Sequence, residues 1–114
     1  MRHMTADELH TKYANGERDF RGVDLSGEDL SGMTLERSNF KGSSFSHANL
    51  ADADFSNADF TFSSLRFANL SDANFRYADF HRADLSWSFC PGADFHGAEF
   101  ARALIDRAQE MGIA

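Results

Sequence analysis

The chain is poor in the residues that mark many functional classes. Its 114 residues include a single cysteine, Cys90, so no internal disulfide can form and a reducing compartment is expected. The cytoplasm is therefore the expected location. Proline is represented only by Pro91, and no apolar run approaches the roughly 18 residues that mark a bilayer-spanning helix. The opening MRHMTADELH has no apolar stretch of the kind a secretory signal requires, so none is expected there. Positive charge is scarce too: 11 Lys and Arg stand against 18 Asp and Glu, a formal net charge of -7. Nucleic acid and anionic membrane both attract basic surfaces, so neither is expected as a direct partner. The histidines at 3, 10, 47, 81 and 96 show no spacing with cysteine or carboxylate that would mark a metal site.

What the chain does have is a beat. In ANLADADFSNADF, residues 48–60, a small residue, an acid or amide, and a Phe or Leu recur every five positions. The beat residues are Phe20, Leu25, Leu30, Leu35, Phe40, Phe45, Leu50, Phe55, Phe60, Leu65, Leu70, Phe75, Phe80, Leu85, Cys90, Phe95 and Phe100. Two residues before each beat, from 48 to 103, stands only Ala or Ser. Internal repeats of this kind decide the fold before any local propensity does.

Period five suits neither regular element. Five helical residues advance about 500°, which scatters successive beats around the axis. In a straight strand an odd period sends them to alternate faces. The beat points inward every time only if the chain turns a corner in each pentad. Phe20, Phe40, Phe60, Phe80 and Phe100 are all Phe, while Leu30, Leu50 and Leu70 are all Leu, so a second period of twenty sets four pentads to a coil. The small residue two places before the beat leaves room for the stacked interior. Successive coils are expected to pair as parallel ladders about 4.8 Å apart. The glycines at 22, 27, 32 and 42 then fall at pentad corners rather than in a phosphate-binding loop.

With this A(D/N)LXX pattern the chain resembles the pentapeptide repeat family from residue 18 to about residue 102. The resemblance implies an all-β solenoid, a right-handed quadrilateral parallel β-helix of about four coils, at 18–37, 38–57, 58–77 and 78–97. Two departures stand out. Arg18, Val23, Glu28 and Met33 occupy the small-residue places of the first coil, so its interior is expected to be irregular or covered. SWSFCPG, at 86–92, puts Cys90 on the beat and Pro91 after it, which predicts a local distortion where a ladder donor is lost.

Short helical caps are expected at both ends, because open sheet edges recruit other chains. Residues 1–17 form the N-terminal cap, with Thr5 and Glu8 as a capping box, Leu9 and Tyr13 on one face, and Gly16 as the stop. Residues 18–102 form the β-helix. Residues 103–114 read as a C-terminal helix and tail with Leu104, Ala108 and Met111 aligned.

A tube filled by its own side chains leaves no concave pocket, so no catalytic residue, metal or cofactor is expected. Two outer features remain. Asp59, Asp79 and Glu99 stack on one side and Asp52 lies in line with Asp72 on another. Such columns either hydrogen-bond turn amides or imitate a phosphate backbone, and the resemblance implies the latter for members that bind DNA gyrase or topoisomerase IV as DNA mimics. Coil by coil the charge is mixed, which favours turn chemistry. The other feature is aromatic: Phe62, Phe67, Tyr77, Trp87 and Phe89 occupy outward places, with Phe67 and Trp87 twenty residues apart. They form either a stabilising external ladder or a contact surface. The expected function is a non-enzymatic solenoid that offers its outside to a protein partner. Homodimerisation through the C-terminal MGIA is compatible with it.

Overall fold

The computed structural model describes residues 1–108, and in it the chain winds as a four-sided parallel β-helix behind a short N-terminal cap. Isolated bridges join residues twenty apart all along the stack, from Asp19 with Asn39 to Asp84 with Leu104. The bonding repeats in each pentad. A beat N–H donates to the carbonyl nineteen residues on, as from Phe20 to Asn39 at 2.7 Å and from Leu85 to Leu104 at 2.7 Å. The preceding N–H donates back to the coil before, as from Asn39 to Arg18 at 2.7 Å.

Most corners are β-turns closed by a bond from the small residue to the previous beat carbonyl, such as Ala53 to Leu50 at 3.1 Å, while at the Phe20 corner Val23 N–H donates to Ser43 Oγ at 3.2 Å instead. Only the second central residue has positive φ, as a type II turn requires. The first central residue spends its N–H on the acid or amide before the beat: Ala51 donates to Asn49 Oδ1 at 3.1 Å, and Ser56 to Asp54 Oδ1 at 3.0 Å. The repeat's D/N position is therefore part of the corner.

Inside, the beat residues from Phe20 to Cys90 are almost fully buried. Phe20, Phe40, Phe60, Phe80 and Phe100 form one continuous stack, with neighbouring centroids 5.0–5.7 Å apart. Phe55, Phe75 and Phe95 form a second, 5.5 and 5.3 Å apart, and the two stacks meet edge to face. Offset and edge-on contacts are the arrangements that aromatic quadrupoles favour. Phe95 and Phe100 are only partly buried, because no described residue stacks on them from a further coil.

The enlarged residues of the first coil are met by the cap. Helix α1, Ala6–Ala14, begins at Thr5 with the expected capping box and places Leu9 fully inside. Glu28 accepts a hydrogen bond from Ala6 N–H at 2.8 Å, and Tyr13 donates to the Glu36 carbonyl at 3.0 Å. Strand β1, Arg2–His3, pairs in parallel with β2, Val23–Asp24, and carries Met4 into the interior behind it.

Two expectations need correction. Residues 103–108 make no helix; they continue the coil. Leu104 bridges Asp84, Trp87 N–H donates to the Asp106 carbonyl, and Ala103 and Ala108 close ordinary corners on Phe100 and Ile105. The finished coil beneath offers this segment a template of open ladder groups, which outweighs the helix propensity of its Ala, Leu and Arg residues. Met111 lies outside the described residues. Nor does SWSFCPG distort the wall. Pro91 and Gly92 are the central residues of another such corner, the places where a type II turn favours Pro and then Gly, and Ala93 closes it on Cys90 at 3.1 Å. A residue after the beat has no ladder bond to give, and Phe89 offers no side-chain acceptor, so the missing donor and the missing acceptor coincide.

Candidate functional site

Corner residues form columns twenty residues apart, and one of these is aromatic over most of its length. His47 stacks on Phe67 at 4.9 Å and 7°, Phe67 on Trp87 at 6.1 Å and 16°, and the Arg107 guanidinium lies 5.1 Å from the centre of the Trp87 ring. Of these four residues, the aromatic pattern identified only Phe67 and Trp87; the twenty-residue offset that links them reaches His47 and Arg107 as well. The rings spend their faces on one another and turn their edges outward. Such a column cannot offer a flat platform to a sugar or a nucleobase, whose recognition needs an open ring face.

Along the fourth coil the alternation is strict. Ser86, Ser88 and Cys90 are buried, whereas Trp87 is 46% and Phe89 47% exposed, with Pro91 beside them. Phe67 sits beneath Trp87, so these four residues form one outer apolar strip. The other aromatics lie elsewhere. Phe62 is under Arg82, whose guanidinium carbon lies 5.7 Å from the ring centre, and Tyr77 leans over Gly97, where a Cβ would collide with its ring.

Eight copies of the pentapeptide repeat model match the chain, across residues 19–57, 53–89 and 78–109. The chain belongs to the pentapeptide repeat family. Its fold is the right-handed quadrilateral β-helix. No curated protein matches it. Among solved structures it is similar to alr5209, a pentapeptide repeat protein from Nostoc Pcc 7120, with 26% identity and a TM-score of 0.80 over 91% of this chain and 97% of that one. HetL, a pentapeptide repeat protein involved in heterocyst differentiation regulation in Nostoc sp. strain PCC 7120, is 31% identical with a TM-score of 0.58. That match covers 75% of this chain and 38% of HetL. QnrB1, a plasmid-mediated fluoroquinolone resistance protein, shares 22% identity and a TM-score of 0.63 over 79% of this chain and 59% of its own, a likeness of fold.

On this pentapeptide repeat wall the acid columns stand in register, Asp59 bridging Asp79 and Asp79 bridging Glu99. Asp59 Oδ1 accepts from Thr61 N–H at 2.8 Å and Asp79 Oδ1 from His81 N–H at 2.9 Å, so both carboxylates serve corner amides. Asp52 and Asp72 are corner residues with φ of 61° and 57°. The Asp72 carboxylate rises over Gly92 and fills the place a Cβ there would take.

Away from the wall, a cleft of about 470 Å³ opens at the N-terminal mouth, floored by Met4, Phe20 and Val23. This corrects the expectation of no concave pocket. Of α1 only Lys12 lines the cleft, beside Arg2, Glu17, Asp19 and Arg21. Its charges are engaged, Lys12 with Glu17 at 3.7 Å and Arg21 with Asp19 at 2.9 Å. Cys90 is fully buried; burial pushes its thiol upward in pKa, against a hydrogen-bond contact with Ser88 Oγ at 3.2 Å. Among the described residues, no group of three His, Cys, Asp or Glu side chains is placed to hold a metal ion.

Proposed function

We propose that this pentapeptide repeat protein works without catalysis, by presenting its outer wall at Phe67, Trp87 and Phe89 to a protein partner. One observation carries the reading. The repeat places polar residues outside, and SWSFCPG replaces them with a half-exposed Trp–x–Phe–x–Pro series above Phe67. A continuous apolar patch rimmed by polar residues is the composition of a contact surface. The test is photocrosslinking in cells from a benzophenone side chain at position 87, with position 56 on another flank as control. The reading expects a discrete protein adduct from 87 that is lost in Phe67→Ser and Phe89→Ser backgrounds. Equal labelling from both positions would sink it.

A second reading, protection of DNA gyrase or topoisomerase IV by DNA mimicry, draws support from the unbroken register of Asp59, Asp79 and Glu99. It is weakened by the corner bonds that occupy Asp59 and Asp79. A supercoiling assay with and without fluoroquinolone discriminates the two. Protection that disappears in Asp59→Asn with Asp79→Asn would put mimicry ahead.

A further inference from the structure

The flank that carries the apolar strip differs from the other three in its charge. Between its corner columns the outward residues are Asn49 and Ala51 on the second coil, Asn69 and Ser71 on the third, and Phe89 and Pro91 on the fourth. None of them is ionised. Over the same coils the neighbouring flanks carry Asp54, Arg76 and Asp94, or Lys41, Asp59 and Asp79, or Arg66 and Asp84. On these three coils charge is confined to the edges, Arg107 on one side and Asp52 and Asp72 on the other, while on the first coil Asp29 stands in the middle column. One corner column runs His47, Phe67, Trp87, Arg107; the other runs Asp52, Asp72, Gly92.

Side-chain reach brings those charges level. Arg107 belongs to the coil above, yet its guanidinium lies against Trp87. Asp72 belongs to the coil below, yet its carboxylate lies over Gly92. At the fourth coil the flank therefore reads cation, Trp87, Phe89, Pro91, anion. At the second it reads His47 at one edge and Asp52 at the other. Neither Arg107 nor Asp72 has an ion-pair partner among the described residues.

We infer that the occupant of this flank is a second copy of the chain, docked side by side about a two-fold axis parallel to the tube. The inference rests on the surface reading above and names its partner. Such an axis lays each basic edge on the mate's acidic edge at the same height, so that Arg107 meets Asp72 twice and His47 meets Asp52 twice. The uncharged middles face each other. An antiparallel pairing would set Arg107 against Arg107 and Asp72 against Asp72, and like-charge contacts select against it. Isologous dimers are the commonest closed assembly. The whole side of a body measuring 38 × 23 × 21 Å, cap included, is on the order of 800 Å², so an interface of the standard share per partner would take in the cap as well as the coils.

Sedimentation velocity over a range of concentrations tests this on the full chain. The wild type is expected to approach twice its 12.7 kDa mass. Asp72→Arg and Arg107→Asp alone should each weaken association roughly tenfold or more, since the two-fold axis doubles every pair. Combining the two reversals should restore it. Arg37, Arg82 and Arg102 already adopt the left-handed corner, as does Asp52, so the reversals fit the wall, and unchanged circular dichroism melts are the expected check. Trp87→Ser with Phe89→Ser should leave a monomer. A wild type that stays monomeric at its highest soluble concentration overturns the inference, and so does a dimer indifferent to these changes. The surface reading then stands on its own if position 87 crosslinks to a different protein, and both fail if it crosslinks to none.

Discussion

The pentad at 88–92 makes a test of how the wall is built. Ordinary corners pair an acceptor side chain before the beat with an N–H after it, as Asn69 does with Ser71 at 3.1 Å directly beneath. Here Phe89 and Pro91 have removed both halves. Pro91→Ala alone restores a donor that has no acceptor, and it also loses the φ restriction that proline imposes on the unfolded chain, worth about 0.4–1 kcal/mol. Phe89→Asn alone restores an acceptor that has no donor. The double substitution rebuilds the bond, for a net gain of about 0.5–1.5 kcal/mol. The two changes should therefore couple favourably by about 1 kcal/mol, a shift of roughly 4 °C in Tm for a chain of this size.

The assay is a double-mutant cycle in urea, read by circular dichroism and by the fluorescence of Trp87, the only tryptophan. Dilute protein keeps self-association out of the measurement. An Asn at 89 would also lie over Asn69, but that contact enters the single and the double variant alike and cancels. Additivity within about 0.3 kcal/mol would refute the matched-loss account of Pro91. The proline would then be tolerated for its φ alone.

Two further expectations concern stability. Ser38 and Ser63 hold buried hydroxyls with no hydrogen-bond partner among the described residues, whereas the Ser43 hydroxyl donates to the Phe20 carbonyl at 2.8 Å and accepts from Val23 N–H at 3.2 Å. Ser38→Ala and Ser63→Ala should each stabilise by about 1 kcal/mol and Ser43→Ala should destabilise by a similar amount; equal effects at all three in urea unfolding would contradict this. The carboxyls of Asp24, Asp29 and Asp94 are held below the usual range, the first two by hydrogen bonds from Ser26 and Ser31 and the third by the His96 N–H and then Arg76. At Asp84 burial works the other way but is outweighed by Ser86 and Arg66. Lowered folded values mean stability that is fully present above the unfolded carboxylate range near pH 4 and is lost as pH falls through the folded ones. A stability profile that fell between pH 7 and pH 5 would contradict that assignment.

Much of this was legible because the interior of a narrow tube imposes a steric rule on every pentad. A Phe60 or an Ala58 can be read from position alone, since each neighbour in its column meets the same walls. The N-terminal cap was legible for a different reason: the Thr5–Glu8 capping box is a local signature that needs no tertiary context. The stretch 103–108 was not. ARALIDRA carries a helical spacing and the pentad spacing at once, with Ala103 and Ala108 at small-residue places and Ile105 on the beat. Only the open edge of the coil beneath decides between them. The lean of Arg107 and Asp72 onto the fourth coil lay still further out of reach, because it depends on what each side chain finds above or below it.

The corners show why the outer aromatics call for a reason beyond folding. A left-handed φ costs a bulky side chain about 1 kcal/mol, while Gly, Asn or Asp adopt it with little strain. The wall uses Gly at 22, 27, 32, 42, 92 and 97, Asn at 57 and Asp at 52 and 72. It nevertheless places Phe62, Phe67, Tyr77 and Trp87 in the same conformation. Stacking offsets the strain at Phe67 and Trp87, each of which has a neighbour on both sides along the column. It does nothing for Phe89, which lies off the corner, takes the place of a corner acceptor and is half exposed. Folding alone would favour Asn at 89, as at 49 and 69 in the same column. The departure is therefore better explained by what meets Phe89 from outside than by the wall it stands on.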